Sequence, residues 1–143
     1  MNKELSYIQI NDYTTQSGFQ ISTLQLSYQL FGLELGTAPV VLVNHALTAN
    51  SNVVGENGWW KEVIGNGKTI DTKKFTVLAF NIPGNGFDGL LIDNYKDFVA
   101  KDIANLFLYA LKKLEICKLH AIIGGSIGGG IAWEMAVINP DIA

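Results

Sequence analysis

Residues 124–128 read Gly-Gly-Ser-Ile-Gly, a G-x-S-x-G pattern centred on Ser126. A serine hydroxyl is a weak nucleophile on its own and must be activated by its surroundings. An apolar run over residues 119–123 leads into the pattern, and a helical pattern over residues 128–139 leads out. That is the strand–turn–helix context of a nucleophile elbow. In so tight a turn the residues two before and two after the serine pass close together, so a side chain at Gly124 or Gly128 would clash. Ser126 is expected in a strained backbone conformation, its hydroxyl projecting from the carboxyl end of the strand. The N–H of Ile127 opens the helix, where the helix dipole favours developing negative charge. It supplies one half of an oxyanion hole. The other half is expected from the loop after the apolar run 40–43, which reads Asn44-His45-Ala46-Leu47-Thr48, with Leu47 as the backbone donor.

A serine so placed needs a base, and the chain offers two histidines. His45 ends the run 40–43 and is the one that can approach Ser126. His120 lies six residues before Ser126 on the same extended strand, about 20 Å away. With an elbow of this type the base follows the serine in the chain. Both histidines precede it, so the expected role of His45 is to order its loop by hydrogen bonding.

Three weaker patterns point elsewhere. Residues 84–89 match the dinucleotide fingerprint G-x-G-x-x-G, but Pro83, Asp93 and Asn94 surround it and Tyr109 stands where the acidic residue belongs. A turn-rich loop at the sheet edge is the expectation there. Gly67-Lys68-Thr69 imitates the end of a phosphate-binding loop, but Glu62 replaces the earlier glycine. Cys117 and His120 have C-x-x-H spacing without a second ligand pair, so no metal site is expected. Cys117 reads as a small apolar filler before the strand.

The elements that must hold these residues follow from hydropathy. Leu24, Leu26, Tyr28 and Leu30 alternate with polar residues, the period of a half-buried strand. Phe19 and Ile21 fall on the opposite phase, which predicts a bulge or turn near Ser22-Thr23. A shorter run over residues 7–10 suggests an antiparallel partner. Residues 40–43, 75–80 and 119–123 are mainly apolar runs suited to strands of a parallel sheet. Val99, Ile103, Leu106, Phe107, Ala110, Leu111 and Leu114 recur at helical spacing, with Asp97 as the expected N-cap and Lys112 and Lys113 near the C-terminal end. A second helix is expected from just after Ser126 to before Pro140. The architecture is therefore α/β, with right-handed crossovers placing helices on both faces of the sheet. Residues 44–72 form a long irregular segment with Trp59-Trp60, of the kind that usually serves function.

The 143 residues are 48% apolar and 16% charged, below the usual figure of about 25% charged, so disorder is not expected. A net charge of −3 argues against nucleic acid as a partner. One cysteine excludes an internal disulfide framework and suits a reducing, cytoplasmic setting. Residues 1–6 lack the apolar run of a signal peptide, and the uncharged stretch 119–133 is too short and glycine-rich to span a membrane.

Taken together, His45-Ala-Leu-Thr48, Gly58-Trp-Trp60, Ile64-Gly, Gly67-Lys, Ile70-Asp71, Leu119-His-Ala, Gly124-Gly-Ser-Ile-Gly-Gly129 and Trp133-Glu134 resemble homoserine O-acetyltransferase. This family comprises α/β-hydrolase-fold acyltransferases of methionine biosynthesis. The resemblance runs from about residue 40 to the end, with N-terminal strands that fit. It implies ping-pong transfer without a bound cofactor. Ser126 takes an acetyl group from acetyl-CoA, the N–H groups of Leu47 and Ile127 hold the oxyanion, and homoserine accepts the acetyl group. It further implies that the catalytic acid and base, and an arginine for the acceptor, follow the elbow, outside residues 1–143. Residues 1–143 are then expected to be the N-terminal half of one α/β-hydrolase domain, with a mostly parallel central sheet, antiparallel N-terminal strands and flanking helices. Where the family usually has Cys-x-Gly-Ser-Thr-Gly-Pro, this chain has residues 82–89, Ile-Pro-Gly-Asn-Gly-Phe-Asp-Gly. Another hydroxyl acceptor, another acyl-CoA or plain ester hydrolysis therefore stays open. A third reading is an inactive fragment that binds a partner, because the strand before Ser126 would present an unpaired apolar edge. Self-association, with a homodimer as one form, is the expected behaviour of such an edge.

Overall fold

In the structure, a computed structural model that describes residues 4–143, the first two strands pair with each other. The first three residues of the N-terminal stretch read for a signal peptide lie outside the described residues. Strand β1 (Ser6–Thr14) runs antiparallel to β2 (Gln20–Gly32). Ile8, Ile10, Leu24 and Leu26 are buried, and the intervening Gln9 and Gln25 are exposed. The phase slip takes a different form from a bulge or turn. Asn11 faces Thr23 and Tyr13 faces Ile21 in one unbroken register, so no residue is inserted. Asp12 adopts φ +55°, and both strands switch face at that level, so that Tyr13 and Ile21 meet the same core as Ile10 and Leu24.

Three strands continue the sheet: β3 (Val40–Asn44), β6 (Thr76–Phe80) and β7 (Ala121–Gly124). The order is β1-β2-β6-β3-β7, with β6, β3 and β7 mutually parallel and β2 antiparallel to both of its neighbours, β1 and β6. Every residue of β3 and β6 is buried, as continuous apolar runs require, while β7 is half-exposed along its length. Between β3 and β6 the chain makes a long excursion containing two short paired strands, β4 (Ile64–Gly65) and β5 (Ile70–Asp71).

The helices α1 (Ala100–Lys113) and α2 (Ile127–Ile138) pack on the same face of the sheet. Ile103, Phe107, Leu111, Ile131 and Met135 share a cluster there with Leu42, Leu78 and Phe80. Among the described residues both helices lie on one face, which corrects the expectation of helices on both faces. The opposite face, around Val41, Val43 and Val77, is covered by Val53, Val54, Ile64 and the two tryptophans. The crossover rule still accounts for the layering. The step from β3 to β6 and the step from β6 back across β3 to β7 run in opposite directions, so right-handed connections fall on opposite faces. The first of them simply contains no helix.

The N-cap of α1 also differs from expectation. Asp97 lies in a short 3-10 turn, Tyr95–Asp97, and the cap position is Val99, which has no side-chain acceptor. Asp102 takes over. Its buried carboxylate accepts the Val99 N–H at 3.0 Å, the Gln16 N–H at 2.9 Å and the Tyr13 hydroxyl at 2.8 Å. Burial, reinforced by this bond, holds the Tyr13 hydroxyl well above its usual pKa, so it stays a donor. One acidic side chain thus caps α1 and ties it to the end of β1. The helix closes with Glu115 at φ +59°, Ile116 N–H on the Leu111 carbonyl and Glu115 N–H on that of Lys112, the paired bonds of a Schellman ending.

Candidate active site

Strand β7 ends at Gly124, and α2 begins at Ile127. Two residues therefore turn the chain from sheet to helix. Ser126 sits at the tip with φ +54° and ψ −124°, a region that favours glycine, and is exposed. The tightness explains its neighbours. A Cβ on Gly124 would collide with the Gly128 carbonyl, and one on Gly128 would collide with the carbonyls of Asn44 and His45. Strained serine and bare glycines are thus parts of one close approach between the elbow and the end of β3. The Gly125 N–H closes it by donating to the Asn44 carbonyl at 3.3 Å.

That approach sets the elbow beside the chain leaving β3. Asn44 pairs with Gly124 across the ladder, so the segment after Asn44 and the segment after Gly124 emerge side by side at the carboxyl edge. Residues 46–49 form a turn closed by the Ala49 N–H on the Ala46 carbonyl at 2.9 Å. Leu47 follows the first residue of this turn, and its side chain is 67% exposed. Ile127 is the first residue of α2, where a backbone N–H has no intrahelical acceptor. Of the two residues expected to supply oxyanion donors, Ile127 directly follows Ser126, and Leu47 lies in the turn that follows β3, the strand paired with β7.

His45 is fully buried beneath the turn. Its Nδ1 lies 2.6 Å from the Ala46 carbonyl, and its Nε2 accepts the Ile82 N–H at 2.9 Å. A carbonyl can only accept and an N–H can only donate, so the proton sits on Nδ1 and the Nε2 lone pair is engaged. Burial lowers the pKa of the ring further, partly offset by the Ala46 bond. Both nitrogens are therefore committed to backbone, the arrangement of a loop-ordering residue. His120 lies at the other end of the sheet. It is exposed, its N–H donates to the Val40 carbonyl at 2.8 Å, and its ring centre is 4.8 Å from that of Phe75.

Polar residues that the sequence reading passed over complete the carboxyl edge. Asn81, directly after β6, is buried. Its Oδ1 accepts from the Ser51 N–H at 2.8 Å, and its Nδ2 donates to the hydroxyls of Ser27 and Ser51, both at 2.9 Å. Ser51 donates on to Gln29 at 2.6 Å, and Ser27 to Asp88 at 2.6 Å. The signal was present. Asn44 and Asn81 each terminate an apolar strand run at the same edge, where a buried amide must find partners. Asn44 itself holds the Gly128 carbonyl through Nδ2 at 3.4 Å, and its buried Oδ1 has no donor among the described residues. On the opposite face, Trp59 and Trp60 stack at 4.7 Å, the Trp59 indole N–H is fixed to the Asn50 carbonyl at 2.8 Å, and the edge of Trp60 faces Gly125.

The weaker patterns resolve as local structure. Residues 84–89 form turns with no helix opening in them. Lys68 lies between β4 and β5 and bonds the Lys61 carbonyl, and no helix follows. Cys117 is exposed, a correction to its reading as an apolar filler, because it follows the Schellman ending of α1 on the surface. Among the described residues no three His, Cys, Asp or Glu side chains cluster as for a metal, and no helix is long and apolar enough to cross a membrane.

Comparison with known proteins bears on the fold. A family described as alpha/beta hydrolase fold matches residues 39–142. Curated relatives include a homoserine O-acetyltransferase of Corynebacterium diphtheriae, 33% identical over 147 residues, covering 95% of this chain and 39% of that protein. One of Methanobrevibacter ruminantium is 37% identical over 155 residues, covering 93% of this chain and 31% of that protein. Among solved structures, homoserine O-acetyltransferase from Bacillus anthracis superposes with a TM-score of 0.85 at 26% identity, covering 98% of this chain and 44% of that one. Esterase E22 superposes with 0.83 at 28% identity, covering 98% of this chain and 45% of that one. The chain thus spans less than half the length of each of these proteins.

Proposed function

From the premise that the chain belongs to the alpha/beta hydrolase fold family, with homoserine O-acetyltransferases among its relatives, we propose that it is the nucleophile-bearing part of an acyl-CoA-dependent O-acyltransferase. The observation that carries the reading is Ser126 at φ +54° on the elbow between β7 and α2, with the backbone of Asn44 and His45 at the end of β3 packed against it. In the proposed reaction the Ser126 hydroxyl loses its proton to a base and attacks the thioester carbonyl of acetyl-CoA. The N–H groups of Leu47 and Ile127 stabilise the oxyanion, and CoA leaves as the thiol with the proton returned by the base. The hydroxyl of homoserine then attacks the acetyl-serine ester and regenerates Ser126. The base and its carboxylate are assigned outside residues 1–143. His45 has no free nitrogen, and His120 lies at the far end of the sheet. This assignment makes residues 1–143 the N-terminal half of one α/β-hydrolase domain. The lone cysteine and the biosynthetic name of the relatives favour a cytoplasmic setting.

The second reading is a serine esterase, favoured by the similarity to esterase E22 and by the distinct 82–89 loop. The full-length polypeptide given acetyl-CoA separates the two. CoA released only when homoserine is present supports transfer. Acetate released without an acceptor supports hydrolysis and contradicts transfer.

A further inference from the structure

The loop after β6 is fastened to the turn after β3 through one carboxamide. Asn85 Nδ2 donates to Asn81 Oδ1 at 3.0 Å and lies 3.4 Å from His45 Nε2. Its Oδ1 accepts the Phe87 N–H at 3.1 Å. Because the Ile82 N–H already fixes Nε2 as an acceptor, the Asn85 amide can only donate to it, and the two donors share one lone pair. His45 in turn holds the Ala46 carbonyl, which also closes the turn carrying Leu47. A continuous line of hydrogen bonds therefore runs from Phe87 through Asn85 and His45 to Ala46. No backbone pairing joins the 82–89 loop to the turn except through His45. The Asn85 and Phe87 end of the line lies in the loop where this chain departs from the residues usual in the family it resembles, and the His45 and Ala46 end lies in a segment that matches it.

We propose that Asn85 is a positioning residue, which through His45 holds the turn over residues 46–49 in register with Ser126. This rests on the reading of Ser126 as nucleophile and Leu47 as oxyanion donor. Backbone donors stabilise an oxyanion only when aimed before the reaction, so a turn free to shift loses stabilisation at the transition state and not in substrate binding. The loop 82–89 then contributes to the rate through the hole as well as through whatever its rim touches.

The test uses the full-length polypeptide and two variants. Asn85→Ala removes the tie, and Asn85→Asp keeps the shape but turns acceptors onto Asn81 Oδ1 and His45 Nε2. Amide exchange and steady-state kinetics with an activated acetyl ester are both measured. The expected result is faster exchange over residues 46–49, unchanged exchange over residues 121–124, and kcat lowered on the order of tenfold with KM unchanged. That is less than the 10²–10³-fold cost of deleting an oxyanion donor outright. Unchanged exchange over residues 46–49 overturns the tie. Faster exchange with unchanged kcat overturns its part in the reaction. Should wild type form no acyl-Ser126, the proposed function fails, and the exchange comparison still decides whether Asn85 holds the turn.

Discussion

Ser126 pays for its exposure in backbone strain, and that cost is separable from its chemistry. At φ +54° a residue with a Cβ is strained by about 1–3 kcal/mol, which glycine would not bear. Ser126→Gly should therefore abolish acylation while raising stability by about 1 kcal/mol over Ser126→Ala, read from urea midpoints of the two variants. Equal midpoints would mean that the elbow stores no strain at the serine. His45 makes the opposite kind of statement. Its folded pKa lies below the ordinary 6.5, so the unfolded chain binds the proton more readily than the folded one. Its contribution is complete above pH 6.5 and is lost as the pH falls through the folded value. The stability gap between wild type and His45→Gln should accordingly narrow on acidification below pH 6.5. A gap that widens there would mean that the fold raises the His45 pKa instead.

At the scale of elements, the sequence was most informative where one physical requirement dominates. Mainly apolar runs had to be strands, and they are, fully buried in β3 and β6 and half-exposed in β7. The helical spacing from Ile103 to Leu111 had to be the buried face of α1. Gly124 and Gly128 were legible because a turn of that spacing leaves no room for Cβ. What escaped was long-range polar pairing. Asp102 reads locally as one more acidic residue early in a helix, and its partners Tyr13 and Gln16 lie far away in the chain. Asn81, Ser51 and Gln29 converge from three separate segments for the same reason. Asp97 reads as the helix cap because it is the nearest acidic residue before the helical pattern in the sequence, whereas the cap is set by the carboxylate of Asp102 in the first turn. Asp102→Ala should leave two N–H groups and the Tyr13 hydroxyl without their acceptor. The expected destabilisation is about 3 kcal/mol or more, measured by denaturant unfolding. A loss below about 1 kcal/mol would show that water replaces the carboxylate there.

At the scale of the molecule, the layers are unequal. The face carrying α1 and α2 is closed by a continuous cluster, and the other is covered by the excursion between β3 and β6. The β7 side of the sheet is different. Among the described residues β7 pairs on one side only and is half-exposed, and α2 beside it shows Trp133 at 75% and Val137 at 64% exposure. An open strand edge next to an apolar helix face is a template for association. The 143-residue chain should therefore self-associate with rising concentration in sedimentation velocity, and a monomer at all concentrations would contradict this. The central claim is narrower and concerns one bond. Intact mass and peptide mapping of the full-length polypeptide after brief exposure to acetyl-CoA test it most directly. One acetyl group is expected on Ser126, lost on adding homoserine and absent from Ser126→Ala. An acetyl group on another residue, or undiminished homoserine-dependent CoA release by Ser126→Ala, would contradict it.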